Sequence, residues 1–269
     1  MDILIKVLWV AVPLAYVATN WICFRLFQAE NEEAWRHHAR RGLVIALVAH
    51  TTFLFAIAAE YHRCPLATRG EGLLFGAWML AILHLISARL AGTSTLGAFT
   101  MLPATIGVCA SVFLLKSDFG FPPKYQSSYF IFHIVASLTS YISFCIATVL
   151  AASYLVLYRR LKQKRFDTAF FKIPPLEKLD ALCAAWTMTG SAAMLIGSAI
   201  GWIWMRQEAV ANPGASLFPI LGLLAVFIGA GIARRTTNLR GRRYAVVVIA
   251  AFVLAVLVLS INSFHGFYR

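Results

Sequence analysis

The sequence predicts an all-α polytopic membrane protein, with about eight transmembrane helices and both termini external. Three observations predict it. Of the 269 residues, 60% are hydrophobic and only 13% are charged. The mean hydropathy is +0.75. Basic residues gather in alternate connections between apolar runs. A water-soluble domain needs more charge to cover its surface, whereas lipid accepts the apolar excess. A crossing helix needs ~20 apolar residues, at about 1.5 Å each, to traverse roughly 30 Å of hydrocarbon.

The apolar runs fall at about 3–27, 43–61, 72–91, 94–115, 129–158, 180–205, 216–233 and 244–263, within a single transmembrane domain over 1–269. The first carries Lys6 but no small-residue cleavage site before the charged loop, so it reads as a retained helix rather than a signal peptide. The fifth is too long for one perpendicular span and is expected to tilt or to project into the cytoplasm. Strand alternation is absent, and open strands would leave their backbone unsatisfied in lipid. Between the runs, Pro122-Pro123 excludes helix from 116–128, and Asn212-Pro213-Gly214 predicts a turn in 206–216. Residues 159–179 form the largest polar stretch, where Pro174-Pro175 predicts a broken linker leading to a capped helix start.

Orientation follows from charge. The connections after runs one, three, five and seven hold 17 of the 24 Lys and Arg residues, with Arg159, Arg160, Lys162, Lys164 and Arg165 the densest group. By the positive-inside rule these connections are cytoplasmic, which puts both ends outside.

A formal charge of +13 could indicate nucleic acid, but no aromatic-interleaved basic surface appears, and topology accounts for the charge. The five cysteines form no CxxC and do not read as a disulfide framework or a zinc site. The chain has no GxSxG, HExxH or GxxxxGK[ST] motif, so it is expected to bind rather than to catalyse with its own nucleophile. Only 11 acidic residues are present, nearly all in loops or at span ends, which argues against a proton-coupled transporter.

Seven histidines remain. His37 and His38 sit in a basic connection and read as solvated. His50 and His84 lie inside the second and third runs, each roughly 10 Å from the inner end by helical rise. Intramembrane histidines are candidates for function, and the alternative is a neutral imidazole bonded to a neighbouring helix. His133 starts the fifth run and His265 follows the eighth, so both are expected at the outer face. Two neutral imidazoles facing across a cleft can ligate haem iron.

Four stretches resemble the cytochrome c assembly family of haem-handling membrane proteins, most nearly its short HemX- or YpjD-type branch. They are PLATRGEGLLFGAW at 65–78, FHIVASLTSYISFCIATVLAASYLVLYRRLK at 132–162, IPPLEKLD leading to IGSAIGWIW within 173–204, and SINSFHGFY at 260–268. The resemblance implies a bacterial cytoplasmic-membrane protein that binds haem b at the outer face, with His133 and His265 as axial ligands. Arg63 and Arg69 are then candidates to pair with haem propionates, and His50 is a further candidate cofactor contact. Members that hand haem to apocytochromes carry a tryptophan-rich outer segment, whereas 206–218 contains no tryptophan here. They also offer a histidine near the inner end of the next helix, where this chain reads FIGAGIARR. The resemblance implies partners among cytochrome-assembly or haem-biosynthesis proteins. An alternative role is a membrane anchor or regulator of glutamyl-tRNA reductase, recruited through 159–179. A small-molecule transporter is a further alternative.

Overall fold

The computed structural model describes residues 3–266 apart from 30, 67, 93–94, 116–126 and 209–212, with side chains described except at 69, 168–169, 213–217 and 259–266. Its helices are α1 (Ile3–Gln28), α2 (Glu32–Tyr61), α3 (Arg69–Ala91), α4 (Gly97–Leu114), α5 (Ser128–Lys162), α6 (Thr168–Lys172), α7 (Leu176–Gln207), α8 (Pro213–Thr236) and α9 (Arg242–Gly266). The described residues contain no strand. Seven helices are long and apolar enough, among the described residues, to cross a membrane. The eighth expected run falls on α9, a helix of 25 residues.

Helix bounds depart from the hydropathy runs where polar residues continue a helix beyond the bilayer. The run expected at 43–61 belongs to a helix that starts at Glu32 and holds 30 residues. Glu32 and Glu33 occupy its first turn, where acidic groups complement the helix dipole. Glu32 also pairs with Arg36 at 3.2 Å. The fifth helix, 35 residues long, outreaches the hydrocarbon as expected. The turn expected at Asn212-Pro213-Gly214 is already helix from Pro213, a residue suited to a first helical position. Helix α7 starts after Pro175 with no side-chain cap bond, so the expected capped start is corrected.

Contacts divide the chain into two compact units, 1–126 with 166–174, and 127–165 with 175–269. In the first, α1 packs on α2 and α4, and α3 packs on α4. The five-residue α6 had no hydropathy signal. It is held by buried Lys172, whose ammonium donates to the carbonyls of Leu26 at 3.4 Å, Phe27 at 3.1 Å and Ala29. A cation at these otherwise unpaired carbonyls closes the C-terminal end of α1. Thr95 Oγ1 donates back to the Lys172 carbonyl at 2.6 Å.

In the second unit, α5 lies along α7 and α9, while α8 packs on α7 and α9. The α7 seam carries Cys183, Gly190, Met194, Gly197 and Gly201, all buried. In lipid, close van der Waals packing replaces the hydrophobic drive between helices, and small residues permit it. A Cβ at Gly190 would stand 2.5 Å from Phe144 Cε1. The Phe144 ring fills that space and stacks on Phe227 of α8 at 3.6 Å. Ala251 and Ala255 of α9 complete this core. At the other end of α7, Asp180 receives both Arg234 nitrogens, at 2.9 and 2.5 Å, and the Gly241 amide at 2.9 Å. One carboxylate thus ties α7 to α8 and to the start of α9.

Candidate functional site

His133 lies on the first turns of α5, against α7. Its Nδ1 donates to the carbonyl oxygen of Gly197 at 2.8 Å. A carbonyl can only accept, so the proton resides on Nδ1 and the lone pair on Nε2. The ring rests directly on α7, because Gly201 has no side chain. A Cβ there would stand 2.5 Å from His133 Nδ1 and 2.7 Å from Cε1. Glycine one turn beyond the accepting carbonyl therefore sets the imidazole's place. Phe130 and Trp204 flank the same α5–α7 contact, with ring centroids 5.1 Å apart.

His265 stands on the last turn of α9, and its side chain lies outside the described residues. The backbone register can still be followed. Phe144 clusters with Ala251 and Ala255, and a Cβ on Gly241 would meet the Tyr154 hydroxyl at 2.7 Å. These two contacts make α5 and α9 antiparallel neighbours. His133 lies 11 residues before Phe144 and His265 lies 10 after Ala255. At about 1.5 Å per residue the two climbs are roughly 16 and 15 Å. Counted from Tyr154 and Gly241 the climbs are 21 and 24 residues, so the two backbones end within about one helical turn of one level.

The other candidates belong to the first unit. Arg63 donates both terminal nitrogens to Glu71, at 2.8 and 2.9 Å. Glu71 is buried and also closes a capping box with Thr68. The guanidinium thus ties the 62–68 loop to the start of α3. Burial, with Glu71 nearby, pushes the adjacent Cys64 thiol up. Arg69 begins α3, and its side chain lies outside the described residues.

His50 and His84 turn to different partners. His50 Nδ1 lies 2.8 Å from the Tyr16 hydroxyl of α1, with its Nε2 buried and without a hydrogen bond. His84 Nδ1 lies 2.6 Å from Thr100 Oγ1 of α4. That hydroxyl also lies 3.1 Å from the Leu96 carbonyl. Each imidazole bonds a neighbouring helix, as the alternative to a functional pair requires. Tyr16, Thr100, Lys172, Asp180 and the glycines at 197 and 201 were not read as positioning residues from the sequence. Only GSAIG at 197–201 carries a recognisable signal, the small-xxx-small spacing of close helix contact. Among the described residues no three His, Cys, Asp or Glu side chains gather to hold a metal.

Fold and site together define a polytopic helical membrane protein with a carbonyl-anchored histidine at the start of a central helix. The chain belongs to the cytochrome c assembly protein family, whose description, Cytochrome C assembly protein, matches residues 68–267. The match covers the second unit up to residue 267 and begins in the first unit just before α3. Among curated relatives, Protein HemX of Bacillus subtilis (strain 168) is 24% identical over 233 residues, 84% of this chain and 84% of the relative. Protein HemX of Brevibacillus brevis is 25% identical over 196 residues, 71% of each chain. Cytochrome c biogenesis protein CcsA of Synechococcus elongatus is 26% identical over 160 residues, 56% of this chain and 49% of the relative. The chain thus matches HemX proteins over most of their length and about half the length of that CcsA protein.

Proposed function

We infer that the chain is a haem-binding membrane protein of cytochrome c biogenesis or haem homeostasis, in the bacterial cytoplasmic membrane. It holds one b-type haem near the outer face of the second unit, between His133 and His265. The observation that carries this is the hydrogen bond from His133 Nδ1 to the Gly197 carbonyl. Metal-bound histidines donate their other ring N–H to a carbonyl or carboxylate, which fixes the tautomer and raises the basicity of the ligating nitrogen. The antiparallel register of α5 and α9 supplies the second half of the pair.

These residues have simple tasks. Gly197 holds the proton on His133 Nδ1. Gly201 leaves room for the ring. His133 Nε2 and a His265 ring nitrogen supply two neutral donors from neighbouring helices. The apolar helix faces exclude water and so tune whatever iron the pair holds. Haem, when bound, supplies the redox-active iron, and the protein handles rather than transforms it. The relatives Protein HemX and Cytochrome c biogenesis protein CcsA support the same setting. The test is an absorption spectrum of the full chain purified in detergent, oxidised and reduced. The expected result is the sharp reduced bands of a six-coordinate bis-imidazole haem. A preparation that takes up no haem, even when it is supplied, contradicts the proposal.

A second function has one supporting observation. Phe166 and Phe171, beside the basic cluster at 159–165, are 55% and 75% exposed. Exposed aromatics with adjacent cations suit the capture of a cytoplasmic protein, such as a haem-biosynthesis enzyme. A pull-down from membranes that depends on Phe166 and Phe171 favours this function, and one that does not removes it.

A further inference from the structure

The first unit holds a cavity that the haem proposal does not use. It opens between the end of α1 and the adjoining parts of α2 and α3, with a volume of about 280 Å³. Cys23, Leu43 and His84 line it together with Arg36, His37, Arg40 and Arg89. Among the described residues no carboxylate lines it. Arg36 has Glu32 as a partner. Among the described residues neither Arg40 nor Arg89 has an ion-pair partner. All three guanidiniums are solvent-exposed and line one opening, where a single anion can meet them.

A buried group adds to this. His84 is 4% exposed, and its Nδ1 is taken by Thr100. With Nδ1 taken by Thr100, Nε2 is the ring's remaining polar atom. The cavity lining thus combines three cations with one buried imidazole.

Depth identifies the anion. Arg25 lies over Trp21 at 5.9 Å and over Trp35 at 5.5 Å. Trp21 precedes Cys23 by two residues and Trp35 adjoins Arg36, so the cavity is level with this aromatic group. Tryptophan with arginine marks the membrane–water interface, where lipid phosphates reside. Beside the cavity, Val44 and Ile45 on α2 and Ile86 and Leu90 on α3 are exposed apolar residues that can face acyl chains. Basic pockets between helices on this side of a membrane bind anionic head groups.

We propose that this cavity is a head-group site for an anionic phospholipid with a hydroxylated head, of the phosphatidylglycerol type. The phosphate sits among Arg36, Arg40 and Arg89, and a head-group hydroxyl hydrogen-bonds His84 Nε2. The volume equals that of roughly nine water molecules, taking about 30 Å³ each, which suits a head group. The acyl chains stay outside, along α2 and α3.

The test uses the full chain reconstituted from vesicles of equal parts phosphatidylglycerol and phosphatidylcholine. The lipid retained per chain after detergent extraction is read by mass spectrometry of the intact protein. Wild type is expected to retain phosphatidylglycerol over phosphatidylcholine. Arg40→Gln with Arg89→Gln should lower retention about tenfold, the loss of ~1.4 kcal/mol of binding. Arg41→Gln, an exposed cation outside the cavity, should change nothing. If the glutamine pair fails to fold, Arg40→Lys with Arg89→Lys keeps the charge but loses the forked geometry, and retention should fall by a smaller factor. In a second set of vesicles of equal parts phosphatidylglycerol and phosphatidic acid, which lacks the head-group hydroxyl, wild type should prefer phosphatidylglycerol and His84→Phe should not. Equal retention of phosphatidylcholine by wild type, or undiminished retention in whichever arginine pair folds, overturns the proposal. Release of the lipid by inorganic phosphate alone points to a free-anion site and overturns it too. Haem content is read in parallel, so failure of the haem site is seen separately.

Discussion

His133 Nδ1 stands 2.8 Å from the carbonyl oxygen of Gly197, with the ring over the α-carbon of Gly201. A histidine near the start of one helix is thus oriented by the backbone of the next. The sequence encodes this through two glycines that let α5 and α7 touch.

Gly201→Ala should displace the ring. A Cβ would stand 2.5 Å from Nδ1, a distance that real contacts do not tolerate. Disturbing an outer-shell partner of a metal-bound histidine typically costs about 10–100-fold in affinity. The expected result is a loss of haem affinity in that range, by titration in detergent. Gly222→Ala, where a Cβ meets nothing within 4 Å, is the control and should bind normally.

Asp180→Ala should loosen the inner end of the second unit. It removes three hydrogen bonds and leaves the Arg234 guanidinium without its carboxylate. Charged hydrogen bonds contribute about 1.5–3 kcal/mol each, less where water can replace them. A loss of about 2 kcal/mol is expected in a denaturant titration in detergent. Unchanged stability would mean that Asp180 does not tie α7 to α8.

Lys172→Met should free α6 from α1. The aliphatic stem is kept, but the carbonyls of Leu26, Phe27 and Ala29 lose their cation. Limited proteolysis in the 159–174 segment should then become faster, while helix content stays constant. Equal cleavage of mutant and wild type contradicts the anchoring role.

Hydropathy located the membrane helices well because bilayer thickness imposes a length on every crossing segment. It missed the first turns of α2 because Glu32–Arg41 is helix outside the lipid, where no apolar run is required. It missed α6, whose five residues depend on a lysine distant in sequence. Depth could be counted for His50 and His84, but depth does not fix the direction around a helix axis. They share one depth, yet Tyr16 and Thr100 take them separately. For His133, the motif indicated the residue, and the proton position needed the Gly197 contact.

Topology rests on the arginine and lysine distribution and can be checked alone. An enzyme reporter that works only in the cytoplasm should be active when inserted near residue 163 and silent when fused after residue 269. The reverse pattern would put His133 and His265 at the inner face.

The central claim is shared ligation of one haem by His133 and His265. The most direct measurement is haem per chain in purified protein, compared between wild type, the double variant His133→Ala with His265→Ala, and His50→Ala. The proposal predicts loss of haem in the double variant and full retention in His50→Ala. A double variant that keeps its full haem complement, with His50→Ala losing it, would contradict the outer site and move the ligand to the buried Tyr16–His50 pair.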